Sequence, residues 1–172
     1  MKLDFYADAD VLGLWKHEDD QDPVCVKSTT GYVMNIGGFP FNWLSNIQKE
    51  ISLQNLEYEY IALYQAMRYL IPLSQFIQEV GTQLNMEFAY PVIMNSILFE
   101  DNNGAMGLDT SNRKTTRVRH IAVKYNLFRE HVGEGKGIMI QSAEYKDQKA
   151  DVFNKVLPEE TYKYIRKLLA GW

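Results

Sequence analysis

The stretch "LDFYADAD" at residues 3–10 alternates strictly, with Leu3, Phe5, Ala7 and Ala9 on one side and Asp4, Tyr6, Asp8 and Asp10 on the other. Side chains of a strand point alternately to its two faces, so this pattern predicts a β-strand with one face turned to a core. The three aspartates then share the second face. Charge at that density is either solvated or set against a cation. The remainder of the chain has to supply both the sheet around this strand and a reason for its acids.

The segments that follow supply the sheet. "CVKSTTGYVMNIGGFPFNWLS" (25–45) reads as two strands joined by a turn at Gly37 and Gly38. "IQKEISL" (47–53) either extends the second of these or forms a short piece of its own. The period then changes. Leu56, Tyr60, Leu63, Met67 and Leu70 fall at helical spacing, with Asn55 as a candidate N-cap. Pro72 predicts an interruption and a second helical piece ending near Gly81. Further along, "NSILFEDNNG" (95–104) predicts a strand stopped by a polar turn, and "RHIAVKYNLFREHV" (119–132) a helix. "KGIMIQSAEY" (136–145) predicts a last strand, and residues 150–169 one or two closing helices divided at Pro158. The order β-β-β-α-β-α-β-α specifies an α/β layer arrangement with a mixed sheet. With 172 residues and no repeat, linker or low-complexity tract, a single domain over residues 1–172 is expected.

Composition narrows the function classes. Hydrophobic residues make up 46% and charged residues 23%, ordinary for a soluble globular protein. No apolar run approaches the ~20 residues of a membrane span, and Met1-Lys2 leads directly into the first strand with no apolar signal region. The single cysteine, Cys25, excludes an internal disulfide and suits a reducing compartment. A net charge of −4 argues against a general nucleic-acid coat. One stretch differs: "SNRKTTRVRHIAVK" (111–124) carries Arg113, Lys114, Arg117, Arg119 and Lys124 with no acid. It is either a solvated face or a phosphate-binding one. Trp15, Trp43 and the tyrosines are expected in the core, with room for one exposed aromatic that stacks on a substrate.

Three further carboxylates stand where a solvated acid is not expected. On a wheel at ~100° per residue, Glu59 lies beside the apolar stripe running from Leu56 to Leu70, whereas Glu57 points away. An acid on the sheet-facing side needs a salt bridge or a bound cation. Asp101 follows the apolar 97–99 run, at the carboxyl end of a strand, where open α/β sheets gather ligands; it also suits a turn. Asp151 falls early in a closing helix, where Asp147 is the better capping candidate. Carboxylates brought together without a His or Cys cluster select hard cations such as Mg²⁺ or Mn²⁺. A pair of such ions can clamp a phosphodiester for in-line displacement. Periodicity does not separate Asp8 from Asp10 as the strand's contributor.

Six motifs in order, "YADAD" (6–10), "KSTTGYV" (27–33), "EYEYIAL" (57–63), "EDNNGA" (100–105), "RHIAVKYNLFRE" (119–130) and "DQKADVFNKVLP" (147–158), resemble the ribonuclease H domain of copia-type LTR retrotransposon polyproteins. The resemblance runs from about residue 3 to 170. It implies a ribonuclease H-like α/β fold, a five-stranded mixed β-sheet flanked by α-helices, and an acidic site with two Mg²⁺ ions that Mn²⁺ can replace. Its catalytic and metal-binding acids fall on Asp8, Glu59, Asp101 and Asp151, with Asp8 chosen over Asp10 by the motif alone. Where that family commonly reads "FTK", this chain reads "FNK" at 153–155.

The implied activity is endonucleolytic hydrolysis of the RNA strand of RNA–DNA hybrids during reverse transcription. Asn102 and Asn103 would meet RNA 2′-hydroxyls, and Arg113, Lys114, Arg117, Arg119 and Lys124 the phosphates. The implied context is a domain fused C-terminal to a reverse transcriptase, monomeric when isolated, intracellular and in the cytoplasmic retrotransposon particle. The rival expectation is a catalytically inactive ribonuclease H-fold module that binds nucleic acid or tethers a partner domain.

Overall fold

The computed structural model describes residues 3–10, 27–49, 55–86, 92–96 and 130–172. The first strand, β1 (Leu3–Asp10), runs antiparallel to β2 (Thr29–Ile36), which is antiparallel to β3 (Phe39–Ile47). Gly37 and Gly38 link β2 and β3 with φ of 59° and 90°, the doubly positive turn that matches hairpin twist and favours glycine. On its other side β1 is parallel to β4 (Val92–Ser96), and β4 is parallel to β5 (Ile138–Ser142). The described strands thus form one mixed sheet in the order β3-β2-β1-β4-β5.

The alternation in β1 decides what covers each face. Leu3, Phe5 and Ala7 pack with Tyr32 and Met34 of β2 against Tyr60, Leu63, Ala66, Met67 and Leu70 of the long helix α1 (Asn55–Gln83). A smaller cluster of Ala9, Tyr58 and Ala62 seats the first turns of α1 over the carboxyl end of β1. Gln48 fastens that end further, its Nε2 donating to Thr30 Oγ1 and to the Tyr58 carbonyl, both at 3.0 Å.

Three expectations are corrected. Pro72 does not interrupt the helix: α1 runs unbroken from Asn55 to Gln83. An interior proline costs about 3 kcal/mol through its missing N–H and its ring. Here Leu70, Ile71, Leu73 and Ile77 on either side all pack against the core, and their burial offsets that cost. Trp43 is not a core residue. It lies on β3, at an edge of the described sheet, and is 58% exposed beside exposed Phe39, Phe41 and Ile47. The central strand begins at Val92, upstream of the 95–104 segment expected to form it; residues 97–104 lie outside the described residues.

After β5 the chain makes two short 3-10 turns, Tyr145–Asp147 and Lys149–Phe153, before the closing helix α2 (Glu159–Ala170). The expected division at Pro158 holds, with Pro158 at the N-cap and Glu159 and Glu160 in the first turn, where negative charge meets the positive helix end. No helix among the described residues is long and apolar enough to cross a membrane.

Candidate functional site

Asp8 projects from β1 on the face opposite Phe5, directly across from Gly31 of β2. A Cβ on Gly31 would stand 2.8 Å from the Ala150 carbonyl oxygen and 3.1 Å from the Cβ atoms of Phe153 and Asn154. The Lys149–Phe153 turn therefore lies flat against the sheet at this point, and only glycine permits the approach. Gln148 holds the turn there. It is fully buried, its Nε2 donates to the Ala7 carbonyl at 3.2 Å, and its Oε1 accepts from the Ala150 N–H at 3.4 Å as the cap of the turn. Asp147, expected as the capping acid, instead accepts a hydrogen bond from the Tyr164 hydroxyl of α2 at 2.7 Å.

This packing sets Asp151 beside Asp8. Both are almost fully buried, at 2% and 1% exposed, and the Lys155 ammonium bridges them, 2.7 Å from Asp8 Oδ2 and 2.9 Å from Asp151 Oδ1. Asn154 donates from Nδ2 to the same Asp8 oxygen at 2.8 Å. Glu59, 7% exposed in the second turn of α1, approaches from the other side of β1 near the Ala9 backbone. Among the described residues, Glu59 Oε1, Asp8 Oδ1 and Asn154 Oδ1 are buried and accept no hydrogen bond.

The electrostatics follow from one ammonium serving three buried carboxylates. Burial, and then the charge of Asp8, push the Glu59 carboxyl up to about 9, against the opposing pull of Lys155. Burial and Asp8 likewise raise Asp151 to about 6. For Lys155, burial opposes the charged form, but the attraction and hydrogen bonds of Asp8 and Asp151 outweigh it and hold the ammonium above the ordinary lysine range. Isolated buried charge is costly, so a cluster with surplus carboxylate is tuned to take further positive charge or protons.

Of the four acids singled out in the sequence, Asp8 and Asp151 are thus joined through Lys155 near the carboxyl end of β1, and Glu59 lies close enough to feel their charge. Asp101, the fourth, lies outside the described residues, as do Asn102, Asn103, Arg113, Lys114, Arg117, Arg119 and Lys124. Among the described residues no three His, Cys, Asp or Glu side chains are grouped so as to hold a metal ion by themselves. The carboxylates nevertheless suit a hard divalent ion: their donors are all oxygen, two of their buried oxygens have no hydrogen-bond donor among the described residues, and the Lys155 ammonium already stands between two of them as a cation does. Lys155 and Asn154 were not expected at the site. The i, i+4 spacing of Asp151 and Lys155 was the signal available for one; Asn154 was marked only as the departure in "FNK", with no role attached to it.

The fold is that of ribonuclease H1. LC11-RNase H1, isolated from compost by a metagenomic approach, is similar with a TM-score of 0.53 at 16% identity, over 89% of this chain and 92% of that one. The same protein in complex with RNA/DNA hybrid gives a TM-score of 0.53 at 15% identity, over 89% and 94%. At such identities the likeness is one of fold. The homologues of the chain are copia-type retrovirus-related Pol polyproteins of plant transposons. It is 28% identical over 164 residues to that of transposon TNT 1-94 from Nicotiana tabacum, and 29% identical over 169 residues to that of transposon RE2 from Arabidopsis thaliana, covering 95% and 98% of the chain. The chain spans only 11% and 10% of those relatives' lengths. It matches no protein-family model.

Proposed function

We propose that residues 1–172 form a single ribonuclease H domain that hydrolyses the RNA strand of RNA–DNA hybrids in a divalent-metal-dependent reaction during retrotransposon reverse transcription. The observation that carries this reading is the pairing of buried Asp8 and Asp151 around one cation, with buried Glu59 within their electrostatic reach, inside a ribonuclease H fold. Support for the substrate comes from the hybrid-bound LC11-RNase H1 of the same fold and from the Pol polyprotein relatives.

In this reading Asp8, Glu59, Asp101 and Asp151 would hold two Mg²⁺ ions. Bound there, the ions supply water activation and neutralise charge on the leaving oxygen. The chain's own residues set the stage for them. Asn154 fixes the rotamer of Asp8 through the 2.8 Å bond, and the Gly31 contact fixes the height of Asp151 over the sheet. Gln148 ties that turn to β1, so the two aspartates keep their spacing. Asn102 and Asn103 would contact 2′-hydroxyls, and Arg113, Lys114, Arg117, Arg119 and Lys124 the phosphates. The proposed setting is a domain joined C-terminal to a reverse transcriptase, in the cytoplasmic retrotransposon particle, and monomeric when isolated.

One observation favours the rival reading of an inactive nucleic-acid-binding or tethering module: Lys155 already neutralises part of the charge a metal would meet. Cleavage of a labelled RNA–DNA hybrid in Mg²⁺ or Mn²⁺, with Asp101→Asn as control, separates the two. Cleavage lost in the variant supports the enzyme. Hybrid binding without cleavage in either metal supports the module.

A further inference from the structure

Lys155 is the charged residue at the site that the hydrolytic reading leaves without a part. Its ammonium lies between Asp8 Oδ2 and Asp151 Oδ1, at 2.7 and 2.9 Å, with the lysine side chain only 16% exposed. A purely structural ion pair would match one cation to one carboxylate. Here a single ammonium faces Asp8 and Asp151 directly and Glu59 by longer-range attraction, and the buried Glu59 Oε1 and Asp8 Oδ1 have no donor among the described residues. The backbone of Lys155 is held independently, its N–H donating to the Asp151 carbonyl at 2.9 Å. The flexible four-carbon stem can therefore swing without unseating the turn. An outward position is at hand, because the ammonium is 6.0 Å from the centroid of the exposed Tyr145 ring.

We propose that Lys155 is a tethered counter-ion that keeps the metal seat: it pairs Asp8 and Asp151 when no divalent ion is bound, and it must leave both for one to enter. The proposal rests on the reading of Asp8 and Asp151 as metal-binding residues and adds a competitor to it. Lys155 stabilises the metal-free fold and weakens the apparent affinity for the ion by the same interactions. The competition also gives a reason for the asymmetry of the cluster, since three carboxyl groups, once ionised, exceed one ammonium and suit a cation of higher charge.

Mn²⁺ titration by calorimetry, together with thermal unfolding of the metal-free protein, tests this on four forms: wild type, Lys155→Gln, Lys155→Arg and Lys163→Gln. Lys163 pairs with Glu159 and Glu160 on the exposed face of α2, so its variant removes the same charge away from the site. Lys155→Gln is expected to unfold at lower temperature without metal, yet to bind Mn²⁺ about tenfold more tightly. Lys155→Arg should stay close to wild type in both, and Lys163→Gln should change neither. Wild-type and Lys155→Gln proteins that bind Mn²⁺ equally well would overturn the counter-ion alone; absence of binding in both would overturn the metal-site reading with it.

Should Lys155→Gln fail to fold, acylation of the wild-type Lys155 amine, followed by mass spectrometry, gives a second readout. Saturating Mg²⁺ should accelerate modification several-fold as the ammonium is released. An unchanged rate contradicts the proposal.

Discussion

The side-chain amide of Asn154 donates to Oδ2 of Asp8 at 2.8 Å, joining the first strand to the last 3-10 turn across 146 residues of sequence. Lys155, the next residue, reaches the same oxygen. A single carboxylate oxygen of Asp8 therefore takes two donors from adjacent residues, while Oδ1 takes none among the described residues and is left for another ligand. The geometry of the site is set less by the acids themselves than by the turn that delivers these donors.

Asn154→Ala removes the neutral donor and keeps the ammonium. A buried hydrogen bond to a carboxylate contributes about 1.5–3 kcal/mol, so the melting temperature should fall by several degrees. Residues that orient a metal ligand typically change metal affinity or activity by about 10–100-fold when removed. Hybrid cleavage should drop within that range, with hybrid binding in the absence of metal unchanged, as measured by fluorescence anisotropy.

Gly31→Ala tests the close approach of the turn to the sheet. The added Cβ would meet the Ala150 carbonyl oxygen at 2.8 Å, and backbone cannot give way as a side chain can. Overpacking of this kind costs about 1–3 kcal/mol. Denaturant unfolding should show that loss, and Mn²⁺ affinity should fall because Asp151 is lifted away from Asp8. Full stability in Gly31→Ala would contradict the packing described.

The pH dependence of the metal-free protein has a definite sign. Glu59 is raised from 4.5 to about 9 by burial and Asp8, and Asp151 from 3.8 to about 6 by the same causes. The folded chain thus holds protons that the unfolded chain has released, between pH 4.5 and about 9 for Glu59 and between 3.8 and about 6 for Asp151. Stability from these groups is full below the lower limits and is lost as pH rises through the windows. Melting temperatures of wild type measured from pH 5 to pH 9 without metal should therefore fall more steeply than those of Glu59→Gln. Saturating Mg²⁺ should reduce the difference, because a bound ion favours the ionised carboxylates.

Much of this was legible in the chain. Alternation in residues 3–10 places Asp8 on its face, and helical spacing places Glu59 against the sheet, because both are local periodicities. The Gly37–Gly38 turn follows from backbone sterics alone. Pro72 misleads because its local cost is real but smaller than the burial of the apolar residues around it, a tertiary quantity. Trp43 misleads for a similar reason: it has strong strand character, yet it lies on β3, at an edge of the described sheet, where apolar side chains remain exposed. Asn154 and Gln148 carry no periodic signal. Their roles come from partners on β1, Asp8 and the Ala7 carbonyl, 146 and 141 residues away.

The most direct measurement is cleavage of an end-labelled RNA–DNA hybrid by wild type and Asp8→Asn, with and without Mg²⁺. Loss of a ligand worth several kcal/mol to the reaction corresponds to about 100-fold or more in rate. The expected result is metal-dependent cleavage confined to the RNA strand, reduced by at least that factor in Asp8→Asn while the fold and hybrid binding are kept. Cleavage by Asp8→Asn at the wild-type rate, or none by the folded wild type in either Mg²⁺ or Mn²⁺, would contradict the account.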